Sequence, residues 1–277
     1  MNTSNQSYKE LAIPFFKEVF DHVDEVMISH NIPYYLIGAS AIALELLKKG
    51  NKPNRGTKDI DFAIMISSIH EYDDLTKSFE AKGFNKVKAP WTFYSPTYNV
   101  AVDILPFGEI EEHDTEQFHQ RYSDLHVLGM KEVLEEPEVV QIENRFVNIP
   151  PLPGMILLKL VAWSDRPEER ENDLVDILLI IKYYFEFNYD EILDHYYDTF
   201  PAEGFDPLII AAEVLGRKAA QFLKKSDELA ERIYMVLDQN IDNEKESDIA
   251  KEWARTNDWE IAYAIKILKA FQNGILK

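Results

Sequence analysis

Phe16, Val19, Phe20, Val23, Val26 and Met27 recur at helical spacing after a polar lead-in over residues 1–13. That period predicts a helix with one face on a core. Pro14 suits its first turn, and the pattern fades at about Ser29. Asn31-Ile32-Pro33 is a turn, and the apolar run 34–37 (Tyr-Tyr-Leu-Ile) reads as a short buried strand. Gly38-Ala39-Ser40 breaks that strand, and 41–49 follows with a helix-forming composition. A turn rich in Gly, Pro and Asn then leads into Asp59-Ile60-Asp61-Phe62-Ala63-Ile64. There acids alternate with apolar residues, so on a strand both carboxylates share one face, their Cα atoms about 6.7 Å apart.

Residues 70–82 look helical and stop at Gly83, a suitable C-cap. Segments 84–87, 92–95 and 98–105 read as strands, separated by Pro90 and by Pro96-Thr97. In the last of them Asp103 sits among apolar neighbours, where an unpaired carboxylate would be costly. Residues 109–125 are acidic, and His113, His119 and His126 are spaced like no zinc motif, so a solvated surface loop is expected. Segments 139–142 and 145–149 form a hairpin around Glu143-Asn144.

Pro150-Pro151 and Pro153 punctuate the chain, which places a domain boundary between residues 1–150 and 151–277. Beyond it the pattern is helical with no strand. Residues 155–163 are apolar apart from Lys159, and a charged turn at 164–170 precedes a helix entered by Asp173 and Asp176 and running to about Phe185. Amphipathic helices follow at 189–197, 207–223, 227–237 and 259–271, with a charged loop at 240–248. The expected fold class is α+β: a mixed sheet with flanking helices, then an all-helical C-terminal domain.

Composition narrows the chemistry. With 46% hydrophobic and 28% charged residues over 277 positions, the chain can bury a sizeable core. The absence of cysteine excludes disulfides, thiolate metal sites and cysteine nucleophiles. No apolar run approaches a membrane span, and MNTSNQSYKE lacks the form of a signal peptide, so no membrane partner and a cytoplasmic location are expected. A formal charge of −20 opposes broad binding to nucleic acid. Lys48, Lys49, Lys52, Arg55 and Lys58 nevertheless form a local basic cluster just before the paired acids.

The Gly38–Ser40 turn opening a helix, the Asp59-x-Asp61 strand and a third acid, Asp103, on a later strand together resemble nucleotidyltransferases of the DNA polymerase β type. The Arg-Gly-Thr-Lys-Asp-Ile-Asp form over 55–61 is most similar to the AbiEii-type nucleotidyltransferases, known as toxins of toxin–antitoxin systems. Lys159, Arg166, Arg170, Asp173 and Asp176 match that family's helical segment, whereas Asn172 stands where the family has Lys, so no phosphate contact carries over to that position. The resemblance spans residues 34–185. It implies a polymerase β-like fold in which Asp59, Asp61 and Asp103 hold Mg²⁺ or Mn²⁺. Gly38, Ser40, Lys159, Arg170, Asp173 and Asp176 would serve the NTP, and Lys159 would neutralise the triphosphate. All-oxygen ligands suit those cations rather than zinc. Bland alternatives stand beside these roles: a lysine whose stem covers core for Lys159, and helix N-terminal acids for Asp173 and Asp176.

Three functions remain open on the sequence. One is nucleotidyl transfer to an RNA 3′ end such as tRNA, with an antitoxin as a candidate partner. Another is transfer to a small molecule, such as an aminoglycoside or lincosamide antibiotic, or to a protein. The third is a non-catalytic interaction protein; retention of the three acids with Gly38 and Ser40 argues against it.

Overall fold

The computed structural model describes residues 8–11, 13, 15–52, 59–113 and 127–277, and the chain divides into two compact units, Met1–Pro150 and Pro151–Lys277. The first unit comprises α1 (Phe16–His30), β1 (Tyr34–Leu36), α2 (Gly38–Lys48), β2 (Asp59–Met65), α3 (Ile69–Ala81), β3 (Asn85–Lys86), β4 (Thr92–Ser95) and β5 (Val100–Phe107). After these come α4 (Glu109–His113), α5 (Met130–Leu134) and a hairpin of β6 (Glu138–Ile142) and β7 (Arg145–Ile149).

Among the described residues five strands make one mixed sheet in the order β1-β2-β5-β4-β3. Strands β2 and β5 run parallel, and the other neighbours are antiparallel. Alternation along the two central strands decides which face becomes core. Ile60, Phe62, Val102 and Ile104 point to one side and are fully buried. Helix α1 sets Phe20 against Phe62, ring centroids 6.1 Å apart, and α3 sets Phe79 against Phe93 at 5.0 Å. Burying each such ring is worth roughly 1.5–3 kcal/mol. The Tyr72 hydroxyl of α3 donates to the Ile104 carbonyl at 3.0 Å, pinning the helix to β5. The other face carries Asp59, Asp61, Thr92, Ala101 and Asp103, all exposed or half-exposed.

The fifth strand begins two residues later than its pattern suggested. Residues 96–99 turn instead, with Asn99 at φ +54°, a conformation that asparagine tolerates better than most residues. Residues 109–113 are helical rather than loop, and α5 is a further element with no pattern of its own in the sequence. Pro14, His119 and His126 lie outside the described residues. The β6–β7 hairpin lies beside β1, and Arg145 ties it to α1 by ion pairs with Asp24 and, at 3.0 Å, Asp21.

The second unit is helical throughout its described elements: α6 (Leu152–Asp165), α7 (Glu171–Phe187), α8 (Tyr189–His195), α9 (Pro207–Leu223), α10 (Asp227–Ile241), α11 (Asp248–Asn257) and α12 (Ile261–Ile275). Pro153 lies in the first turn of α6, where its missing N–H is harmless. Helix α11 was not expected. Its N-cap Ser247 accepts from Ala250 N at 3.1 Å, and Trp253 Nε1 donates to the Leu174 carbonyl of α7 at 2.8 Å. Among the described residues no helix is long and apolar enough to cross a membrane.

Candidate functional site

At the end of β1, Ile37 N donates to the Asp61 carbonyl at 2.9 Å. The chain then turns into α2 at Gly38 with φ +64°. Two constraints meet at this glycine. A left-handed φ costs an ordinary residue ~1–2 kcal/mol. In addition, a β-carbon placed here would overlap Asp61 Oδ2 and stand 3.2 Å from Asp61 Cγ. The absent side chain is what allows the Asp61 carboxylate to rest against the start of the helix. Ile37 supplies no side-chain cap, so the first N–H groups of α2, its positive end, lie beside that carboxylate. Within the first turn, Ser40 is 1% exposed and its hydroxyl makes no hydrogen bond. Such an arrangement ordinarily costs about 1–3 kcal/mol.

The parallel register pairs Asp61 with Asp103 and Asp59 with Ala101, which puts all three acids on the face not covered by α1 and α3. Neighbouring strands lie about 4.8 Å apart, so the carboxylates of Asp61 and Asp103 stand side by side. Thr92 Oγ1 donates to Asp103 Oδ1 at 2.5 Å. Asp59 occupies the exposed start of β2. Among the described residues no three His, Asp or Glu side chains are gathered to hold a metal ion. Mg²⁺ is commonly held by one or two carboxylates together with substrate phosphates. The facing pair of oxygen donors, beside a helix N-terminus with an unpartnered buried hydroxyl, fits that cation.

The remaining candidates lie in the second unit and form an ion cluster between α6 and α7. Lys159, 8% exposed, donates from Nζ to Asp173 Oδ1 at 2.8 Å and to Asp176 Oδ2 at 2.9 Å. Burial works against the ammonium, but the two carboxylates outweigh it and hold the lysine above its ordinary pKa. Arg170 stands 3.6 Å from Asp173 Oδ2, and Arg166 is 3.5 Å from Glu169. Lys159 is therefore already charge-balanced, which neither expectation for it included.

The basic cluster is also partly engaged. Lys48 donates to Glu45 Oε1 and to Glu138 Oε2, each at 3.0 Å. Glu45 is 3% exposed; burial, and then the Glu138 charge, push its carboxyl above the usual range, against the pull of Lys48. Lys49 and Lys52 are exposed, while Arg55 and Lys58 lie outside the described residues. The pairing of Thr92 with Asp103 leaves no mark in the sequence, because strand register is not visible in a single strand's pattern. The Glu45–Lys48 spacing of three was a visible signal for the other missed contact.

No family model matches the chain, and no curated protein matches it. Among solved structures it is similar to an antigenic nucleotidyltransferase-like protein from Paracoccidioides brasiliensis, at 17% identity and a TM-score of 0.39, over 83% of this chain and 95% of that one. It is also similar to the antibiotic-resistance factor ANT(2'')-Ia, at 15% identity and a TM-score of 0.38, over 65% of this chain and 96% of that one.

Proposed function

We propose that the protein is a divalent-metal-dependent nucleotidyltransferase that moves a nucleoside monophosphate from an NTP to an acceptor hydroxyl. The observation that carries this reading is the facing of Asp61 and Asp103 on neighbouring parallel strands, with the α2 N-terminus brought against Asp61 at Gly38. Asp61 and Asp103, with Asp59 at the strand's start, would hold Mg²⁺ or Mn²⁺, which supplies charge neutralisation for an in-line displacement at phosphorus. Gly38 admits the Asp61 carboxylate to the start of α2, and the Ser40 hydroxyl with the first N–H groups of that helix would bind the triphosphate oxygens. Asp103 takes the proton of the acceptor hydroxyl as the new bond to the α-phosphorus forms. The bond to the β-phosphate breaks, and pyrophosphate leaves. Lys159 would add its positive charge toward the triphosphate while two of its three N–H groups stay with Asp173 and Asp176.

The AbiEii-type form of residues 55–61 supports an RNA 3′ end, tRNA in particular, as acceptor, and with it an antitoxin partner. A small cationic acceptor is the second reading. It is favoured by the charge of −20 and by Lys48 being occupied with Glu45 and Glu138. Incubation with each α-labelled NTP, Mg²⁺ or Mn²⁺, and a panel of tRNA, aminoglycosides and proteins tests the proposal. Label is expected in one acceptor class. Its absence from every class would return the chain to the non-catalytic reading.

A further inference from the structure

Within the nucleotidyltransferase reading, on which this step rests, we infer that Thr92 is a positioning residue for Asp103. Ile104 N donates to the Trp91 carbonyl at 2.8 Å, and Thr92 N turns away to the Ala89 carbonyl at 3.1 Å. Thr92 and Asp103 therefore face each other as a non-hydrogen-bonded antiparallel pair, the kind in which side chains stand closest. The hydroxyl uses that proximity to donate to Asp103 Oδ1 at 2.5 Å. An Asp carboxylate has a broad, weakly determined χ2, so a charge-assisted bond from a β-branched, rotamer-restricted neighbour contributes to setting its plane. The plane matters because the parallel register places Asp61 on the opposite flank of Asp103. Asp103 is thus held from β4 on one side and faces its fellow acid on β2 on the other. Threonine at a half-exposed strand position is ordinary in itself. What goes beyond the ordinary is that its hydroxyl is spent on the carboxylate assigned to metal and proton.

Thr92→Val keeps the shape and the strand preference but removes the hydroxyl, whereas Thr92→Ser keeps the hydroxyl and removes the methyl. Mn²⁺ binding, read as loss of the free-ion EPR signal on titration, is compared for wild type, both variants, Asp103→Asn and Asp61→Asn. The Asp61→Asn curve is subtracted as the non-specific binding of an acidic protein. Partners that orient ligating carboxylates typically contribute 10–100-fold to metal affinity or activity. Thr92→Val should therefore bind Mn²⁺ roughly ten-fold more weakly and lose kcat with little change in KM for NTP, while Thr92→Ser stays near wild type. Unchanged Mn²⁺ affinity and kcat in Thr92→Val, with binding lost in Asp103→Asn, would overturn the inference and leave the enzyme reading intact. Equal losses in the Ser and Val variants would assign Thr92 to packing. If wild type and Asp61→Asn bind Mn²⁺ alike, the metal reading fails and this inference fails with it.

Discussion

Gly38 carries a requirement that no other residue type meets, because its φ of +64° and the adjacent Asp61 carboxylate both exclude a β-carbon. Gly38→Ala should lower stability in urea unfolding by at least the ~1–2 kcal/mol of a left-handed alanine. It should also displace Asp61 and abolish transfer; wild-type stability and turnover together would contradict the contact. Lys159 behaves differently. Replacing it with methionine takes the shared ammonium from buried Asp173 and Asp176 and leaves Arg170, 3.6 Å from Asp173 Oδ2, a loss of about 3–5 kcal/mol in the same measurement. The pH dependence follows from the raised lysine pKa. Its stabilisation is complete below the unfolded-state value of 10.5 and fades as pH rises through the higher folded-state value. On the alkaline side of neutrality, the gap between wild type and Lys159→Met should therefore narrow only in strongly alkaline solution. A gap that closes near neutrality would contradict this. Gly38, Asp61 and Asp103 were legible because alternation assigns a face and glycine marks a break. The partners of Lys159 lie 14 and 17 residues away on the next helix, and one helix's periodicity does not say which residues a second helix presents to it.

Among the elements, strands and helices with strong periodicity came out close to their observed bounds. The 207–223 segment coincides with α9, and 145–149 coincides with β7. Misreadings fell where local composition was overruled by contacts distant in sequence. The charged run after Asn240 is loop over 242–247, as its composition suggests; the element without a signal is α11 behind it, where the buried Asn240 side chain accepts from Ile249 N at 3.1 Å. Helix α5 is a single short turn, too brief to show a period. The crossing of α9 and α12 depends on two glycines that carried no signal as helix residues. Alanine at 216 would gain about 1 kcal/mol in helix propensity. Its β-carbon would, however, run into the Phe271 carbonyl and stand 3.0 Å from Ile275 N, both rigid backbone. Overpacking of ~1–3 kcal/mol should win. Thermal melts of Gly216→Ala are expected below wild type, and a raised Tm would show that the helices can separate freely.

For the molecule as a whole, charge distinguishes the acceptors. Lys48 is unsuitable for that test, since its removal would leave buried Glu45 facing Glu138. Lys49→Ala with Lys52→Ala is the cleaner variant. If RNA is the acceptor, each phosphate contact removed should lower the salt slope of tRNA binding by about one unit. With a small cationic acceptor the slope and turnover should not fall. The central claim, transfer of the α-phosphoryl group by the Asp61–Asp103 pair, is tested most directly by following α- and γ-labelled NTP in parallel with wild type and Asp61→Asn. Expected are α-label on the acceptor and γ-label in pyrophosphate, both dependent on Mg²⁺ or Mn²⁺ and both lost in Asp61→Asn, which still unfolds cooperatively. Transfer of the γ-label to the acceptor, or undiminished transfer of α-label by Asp61→Asn, would contradict it.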